Sequence, residues 1–371
     1  MKAVGIILAG GNDDRLGVLT SSRAVAAMPV GSCYRAIDFS LSNMSASHIN
    51  KVAVVTQYNS RTLHDHLMSS KWWDFGRKQG GLFVFGPYIS RENPFWFRGT
   101  ADSIYQNIAY LKRSNEDYVV IASGDSVYKM DFREVLDFHE QKDADITIVY
   151  KNFDKVRSLS KMGILSADED GRVLNFEEKP KVPRTKDASL GIYVISRGLL
   201  ISLLEEACPN KGYDLVKDII INHINTLKVF GFRFDGYWRS IGAGIDEYFK
   251  ANMDFLDKDI RFLFSREYPY TATKPKDEPP VKYNPNAEVR NVVCGGGCIL
   301  NGYVEDSVLF RRVYTGDGSV IKKSIIMEGS YIGNNCVVEN AILDKDVVVS
   351  DGKTILGQEN SPVIIAKGTI V

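Results

Sequence analysis

The chain has 371 residues, enough for two domains with separate cores, and its 46 basic and 46 acidic residues leave no net charge. That balance excludes recognition of nucleic acid or of a membrane surface through a broad basic field. No apolar run approaches the ~18 residues of a membrane span, and the N-terminal strand is too short for a signal peptide.

The first forty residues organise the rest of the chain. Val4, Ile6, Ile7 and Leu8 form the short apolar run of a buried parallel strand. Ala9, Gly10 and Gly11 end it with a turn whose small residues let the backbone approach a ligand and present N–H groups to anionic oxygens. The loop after it, GNDDRLGVLTSSRAVAAMPVGSCYRAIDFSLSN, is too long for a simple connection and reads as a nucleotide site that runs into a helix.

Lys51 to Thr56 is a second strand, and Asn59 to Met68 a helix with Leu63 and Leu67 one turn apart. Ser69 to Trp96, rich in glycine and aromatics, reads as a long excursion. Thr100 is a candidate N-cap for a helix to about Arg113, with Ile104, Ile108 and Leu111 on one face. Tyr118 to Ala122 and Ile146 to Tyr150 are further strands. This alternation predicts a mainly parallel sheet with ligands at the carboxyl ends of its strands. KMGILSAD, GRVLNFEEKP, ASLGIYVISR and FRFDGYW read as shorter strands of a mixed sheet, followed or separated by helices at Lys211 to Leu227 and Ile245 to Leu256. Pro275, Pro279, Pro280 and Pro285 mark linker composition. The expected division is a domain over 1–258, a linker over 259–286 and a second domain over 287–371.

In that second domain aliphatic residues recur at steps of six: Val308, Tyr314, Val320, Ile326, Ile332 and Val338, then Leu343, Val349 and Ile355 after a one-residue slip. This is the mark of a left-handed parallel β-helix. Glycines and aspartates such as Gly302, Gly316, Gly329 and Asp351 fall between the aliphatics.

Four stretches at predicted strand ends could carry chemistry. Beside the glycine loop there is SGDSVYKMD, where Asp125 could hold a divalent ion against phosphate oxygens. FEEKP offers Glu178 to sugar hydroxyls and Lys179 to a phosphate, and GYWRSIG precedes the last helix. The five scattered cysteines, among them Cys294 and Cys298 without a second ligand pair, read as reduced thiols of a cytosolic protein. The histidines show no metal-ligand grouping, and Trp72, Trp73, Phe75, Phe83 and Phe85 read as local packing.

IILAGG, YRAIDFSLSN, VVTQYNS, WFRGTADSIYQN, GDSVYKMDF, FEEKP, SLGIYV, GYWR and IDEYFKANMDFL together resemble the ADP-glucose pyrophosphorylase (glucose-1-phosphate adenylyltransferase) family along nearly the whole chain. The resemblance implies a Rossmann-like, GT-A-like nucleotidyltransferase domain joining ATP to glucose 1-phosphate, with a β-helix used in tetramer assembly. It places Gly10, Gly11 and Arg15 in the nucleotide loop and Asp125 as a catalytic metal ligand. Gly163, Glu178, Lys179 and Ser189 fall on glucose 1-phosphate contacts, and Phe97 stands where the family has a tyrosine.

The chain also departs from the family pattern. GGRGTRL is GGNDDRL here, so Asn12 replaces an arginine and Asp13 and Asp14 are added anions. RAKPA is RAVAA, so Val25 replaces a lysine, and WRD is WRS, so Ser240 replaces the second metal-binding aspartate. A unit charge pair about 5 Å apart at an effective dielectric near 20 is worth about 3 kcal/mol, so each lost cation should cost on the order of a hundredfold in rate. The pattern resembles the GlgD-type partner subunit of bacterial glycogen biosynthesis. That resemblance implies a non-catalytic or weakly catalytic regulatory chain in a cytoplasmic heterotetramer with a catalytic homologue. Mg²⁺ and ATP binding are then expected to be weak or absent, with glucose 1-phosphate a candidate ligand and no nucleic-acid or membrane partner. Two alternatives stay open. One is an active enzyme using Arg15, Arg23 or Arg35 at the phosphates and Asp235 or Asp246 at the metal. The other is a sugar-phosphate sensing module acting through the β-helix.

Overall fold

A computed structural model describes residues 2–11, 14–76, 80–88, 96–153 and 159–371. Asn12 and Asp13, on which part of the sequence argument rests, lie outside that set. The N-terminal part is built on a nine-stranded sheet. Its parallel half comprises β1 (Ala3–Ala9), β2 (Lys51–Thr56), β3 (Gly81–Phe85) and β4 (Tyr118–Ser123), in the order β4–β1–β2–β3. Both faces of β1 are covered. Val4 and Ile6 enter one apolar cluster with Ile104, Leu111 and Leu200, and Ile7 enters another with Leu41, Leu63 and Val135. A strand buried on both faces needs an unbroken apolar run, which is what the sequence supplies.

Helices α1 (Ala36–Ala46), α2 (Arg61–Leu67) and α5 (Phe132–Gln141) contribute to the Ile7 side. Helices α3 (Thr100–Tyr105), α4 (Ile108–Lys112) and α6 (Arg197–Ala207) contribute to the Ile6 side. The mixed half of the sheet is antiparallel around β9 (Asp187–Ser196), which pairs with β4, with β6 (Ile146–Asn152) and with β7 (Gly163–Ala167). The edges here are β8 (Val173–Glu178), antiparallel to β7, and β10 (Val229–Arg233), parallel to β6. A separate two-stranded pair, β5 (Ser126–Tyr128) and β11 (Trp238–Ser240), sets Ser240 opposite Ser126.

Several elements differ from the sequence reading. The excursion after Ser69 contains β3, which extends the sheet in register with β2. Its Leu-Phe-Val-Phe run is masked in sequence because an edge strand leaves Phe83 and Val84 exposed, so no face alternates cleanly. The helix expected from Thr100 to Arg113 is broken in two, and Gly99 caps it rather than Thr100. The Thr100 hydroxyl instead accepts from the N–H of Leu215, 2.9 Å away. The helix expected over 211–227 is confined to 215–223, opens with a wide turn, and is capped by Asp214 accepting from Val216 and Lys217.

After α7 (Ile245–Met253), α8 (Lys258–Ser265) lies within the span read as linker and buries Phe264 against Phe39, Phe255 and Tyr237. The C-terminal part is a left-handed parallel β-helix whose central coils advance 17 residues, Tyr303 pairing with Val320, Val320 with Val337 and Val337 with Thr354, while Glu288 pairs with Tyr303 at the start and Ala341 with Val363 at the end. Its interior column is Leu309, Thr315, Ile321, Ile326, Ile332, Val338, Leu343 and Val349, all fully buried. Between Leu309 and Val349 the spacing is therefore six, six, five, and the slip seen once in sequence recurs once per turn there. The expected phase is off by one residue at three positions: Val308 faces the N-terminal domain, Tyr314 stacks on Tyr331 outside, and Val320 also faces outward. Val308, Ile325 and Ile342 pack on Tyr248, Phe255 and Leu16, so a third apolar cluster joins the two parts of the chain.

Candidate active site

The carboxyl ends of β1 and β4 open into a cleft of two halves, about 600 Å³ and about 290 Å³, that meet at Ser123, Asp125, Lys179 and Tyr193. The larger half is lined by Gly10, Gly11, Val25, Gln57, Phe97, Thr100 and Ser103. Gly10 is held close to Gln57, where a Cβ would come within 3.3 Å, whereas a Cβ on Gly11 would meet no atom of the described residues within 4 Å. No packing against the described residues requires glycine at 11, and a side chain there would take up cleft space instead. Gly124 explains why the turn after β4 is a glycine: a Cβ would crowd Ile7, Ala9 and Ala26 at 3.2–3.4 Å.

Asp125 sits at the junction. Its Oδ1 accepts from Ser123 Oγ at 2.5 Å and from Ser126 Oγ at 3.4 Å. Oδ2 faces Gly242, where a Cβ would lie 2.4 Å from it and 3.4 Å from Val25 Cγ1. Val25, Asp125 and the Ser240–Gly242 turn, separate in sequence, thus form one wall. Alternation along β11 aims Trp238 and Ser240 at the cleft and Arg239 away from it. Arg239 is held by Glu247 at 2.8 Å and Asp254 at 2.6 Å. Burial opposes its charge, but Asp254, Tyr237 and Glu247 overcome that and raise its pKa.

The smaller half is lined by Arg15, Lys161, Gly163, Glu178, Lys179, Ser189, Trp238 and Asp246. Gly163 is enforced by contact, since a Cβ would lie 2.6 Å from the Phe176 ring and 3.0 Å from Glu178 Oε2. Lys179 takes a left-handed backbone (φ 51°) and its Nζ lies 3.1 Å from Glu178 Oε1. Ser189 Oγ lies 3.4 Å from the hydroxyl of Tyr193, whose pKa burial raises, keeping it neutral. An ammonium beside a carboxylate and neutral hydroxyls suits a ligand carrying both an anionic group and hydroxyls.

The structure brings Gly10, Gly11, Arg15, Val25, Phe97, Asp125, Gly163, Glu178, Lys179, Ser189 and Ser240 to this one cleft. It does not bring two proposed phosphate ligands there. Arg23 is buried against Asp344, and Arg35 donates to the carbonyl of Thr62 at 2.7 Å. Asp235 pairs with Arg233 on the surface, whereas Asp246 does reach the cleft. Sequence reasoning missed the clamp between Gln57 and Phe97, in which the Gln57 amide accepts from Phe97 N–H at 2.9 Å and donates to Phe97 O at 3.3 Å. It also missed Arg98, which donates to buried Asp102 and lies 4.0 Å over the Tyr213 ring. The run QYN after β2 was the available signal for the first.

No group of three or more His, Cys, Asp or Glu that could hold a metal occurs among the described residues. Among the described residues, the Asp125 carboxylate is engaged by the hydroxyls of Ser123 and Ser126, and the residue opposite Ser126 on the paired strand is neutral Ser240. A second carboxylate for Mg²⁺ would have to come from Glu178 or Asp246, which line the same half of the cleft.

A strand–turn cleft of this kind above a mixed sheet, followed by a hexapeptide β-helix, is a sugar-nucleotidyltransferase architecture. Residues 4–258 match the Nucleotidyl transferase family and residues 280–361 the GlmU-like C-terminal hexapeptide family. A protein of Clostridium perfringens (strain SM101 / Type A) named glucose-1-phosphate adenylyltransferase is 39% identical over 374 residues, covering 100% of this chain and 95% of its own. Relatives of the same name from Bacillus cytotoxicus and Bacillus anthracis are 37% identical over 375 residues, covering 99% of this chain and 98% of theirs. The chain belongs to the glucose-1-phosphate adenylyltransferase family, whose members are nucleotidyltransferases that generally use Mg²⁺.

Proposed function

We propose that this chain is a catalytically weak or inactive member of the family that serves as the regulatory subunit of a heterotetramer. In this reading a catalytic homologue makes ADP-glucose for glycogen in the cytoplasm, and this chain raises or tunes its activity. The observation that carries the reading is the wall at Asp125. An isopropyl group, a glycine and a serine surround the carboxylate where transfer of an adenylyl group calls for a cation and a second metal-binding carboxylate. The sugar-phosphate half keeps its Glu178–Lys179 pair and its glycine at 163, which supports glucose 1-phosphate as a ligand that this chain still binds.

In the reaction of the family, the phosphate of glucose 1-phosphate attacks the α-phosphorus of ATP and diphosphate leaves. Lys179 would hold the sugar phosphate and Glu178 a sugar hydroxyl. The developing charge on the triphosphate side would meet Val25 instead of a cation. Arg15, which lines the cleft, favours a second reading in which slow turnover persists. The test is ADP-glucose formation by the purified chain alone and together with a catalytic homologue. The regulatory reading expects little turnover alone and a changed rate or effector response in the mixture. Full turnover by the lone chain overturns it.

A further inference from the structure

Arg23 lies two residues before Val25 in sequence and yet faces away from the cleft. Its guanidinium reaches into the β-helix and donates to both oxygens of Asp344, at 2.7 and 2.9 Å, with the two side chains only 5% and 1% exposed. A second nitrogen lies 3.6 Å from Met327 Sδ. Around this pair the contact between the two parts of the chain is aliphatic and aromatic: Leu16, Met28, Tyr248, Val308, Ile325 and Ile342. A charge pair sunk in such a surface is a poor device for net stability, because desolvation cancels most of its attraction. What it supplies is a fixed geometry: Asp344 Oδ1 also accepts from the N–H of Lys345 at 2.7 Å, which ties the carboxylate to its own coil, and Arg23 cannot shift without losing it.

That geometry bears on the cleft wall. The segment after Arg23 is a short turn, Val25–Ala27, closed by Ala27 and Met28 donating to the carbonyls of Ala24 and Val25. Ala24 N–H donates to Asn59 O, and Asn59 Nδ2 donates to Thr20 O at 2.8 Å, so the segment is also tied to the stretch beyond Gly10 and Gly11. Val25 itself abuts Gly242 beside Asp125. The path from the β-helix turn at Asp344 to the carboxylate wall therefore runs through one ion pair and two residues of chain.

We propose that the Arg23–Asp344 pair is a positioning strap: it sets where the Val25 wall stands, so that movement of the β-helix coil carrying Asp344 is transmitted to the nucleotide side of the cleft. This rests on no assumption about whether the chain is regulatory or catalytic. The sugar-phosphate wall, carried by β7, β8 and β9, lies outside the path.

The test is hydrogen–deuterium exchange of the full-length chain, comparing wild type with Asp344→Asn and with the milder Arg23→Lys, which retains a charge for Asp344. The strap predicts exchange of the Ala24, Ala27 and Met28 amides at least tenfold faster in Asp344→Asn and several-fold faster in Arg23→Lys. Exchange in β1 and β9 should stay unchanged. Faster exchange spread evenly over the chain, or confined to the coil around Asp344, overturns the proposal. If Asp344→Asn does not fold, Arg23→Lys decides alone, and unchanged exchange at 24–28 in that variant is sufficient to reject the strap. ADP-glucose formation does not enter the readout, so the regulatory reading can fail without deciding this one.

Discussion

Val25 Cγ1 and Asp125 Oδ2 converge on Gly242, where a Cβ would lie 3.4 Å from the first and 2.4 Å from the second. An aliphatic side chain thus occupies the ground from which a lysine would reach the carboxylate and the phosphates in front of it. Lysine can be accommodated, because Val25 lines the open cleft and a long side chain can bury its stem there and extend its ammonium into the cavity. Replacing Val25→Lys and Ser240→Asp together should raise ADP-glucose formation by the isolated chain at least tenfold. Restoring one cation is worth up to about a hundredfold by the Coulomb estimate, with Asn12 left unrepaired. Equal rates in the altered and unaltered chains would show that this wall does not limit adenylyl transfer.

On the other half of the cleft, Gly163 should be intolerant of any side chain. The Cβ of Gly163→Ala would drive into the Phe176 ring and the Glu178 carboxylate. The Phe176 ring is the nearest group and must shift, and Glu178, on the same strand and 3.0 Å from the added Cβ, is displaced with it. Calorimetry should show glucose 1-phosphate binding weakened at least tenfold in Gly163→Ala. Glu178→Gln should weaken binding too, with little loss of stability, because it removes charge without adding volume. Wild-type affinity in both variants would disconnect this pair from the sugar phosphate.

Much of this arrangement was legible in the residues because it depends on local chemistry. An apolar run ending in Ala-Gly-Gly predicts a buried strand that ends in a turn, and β1 is buried with Gly10 and Gly11 lining the cleft after it. A glycine–aspartate after a strand predicts a carboxylate at a strand end, and Asp125 is there. What could not be read was direction over distance. Nothing local to Arg23 says that its guanidinium points at a carboxylate 321 residues away rather than at the nearby cleft. The β-helix phase failed for a related reason. Val308 is as apolar as Leu309, and only the N-terminal part of the chain, packed outside the coil, makes Val308 an outward residue that is nonetheless buried.

The corrected phase can be checked by stability. Ile321 is fully buried in the coil interior, whereas its neighbour Val320 is an outward, partly exposed residue. Ile321→Ala should cost about 2–5 kcal/mol, as a large-to-small change in a packed core does. Val320→Ala should stay within roughly 0.5 kcal/mol, as surface changes do. Denaturant unfolding of the two variants gives the comparison directly. The six-step phase with a single slip predicts the reverse ranking.

The pH dependence of stability should carry the mark of His139. This side chain is 1% exposed on α5, with Nδ1 2.7 Å from Thr147 Oγ1, Nε2 buried without a partner, and the Tyr118 ring edge-on to it. Burial pushes its pKa down from 6.5 to about 4, against a smaller opposing effect of Asp145. Between those values the unfolded chain binds a proton that the folded chain refuses. Stability is therefore complete above about pH 6.5 and falls as the pH drops toward 4. By pH 5.5 the loss from this one group should be on the order of 1 kcal/mol. Glu328 acts in the same direction at lower pH. Burial raises its pKa, but Lys345, Arg311 and Arg312 more than offset that and hold it below the usual carboxylate value, so its contribution is lost only on further acidification. Comparing urea unfolding at pH 7 and 5.5 isolates the histidine. His139→Gln, which can keep the hydrogen bond to Thr147 and cannot titrate, should lose about 1 kcal/mol less than wild type over that interval. An equal loss in both proteins would mean that His139 is protonated in the folded chain at no cost.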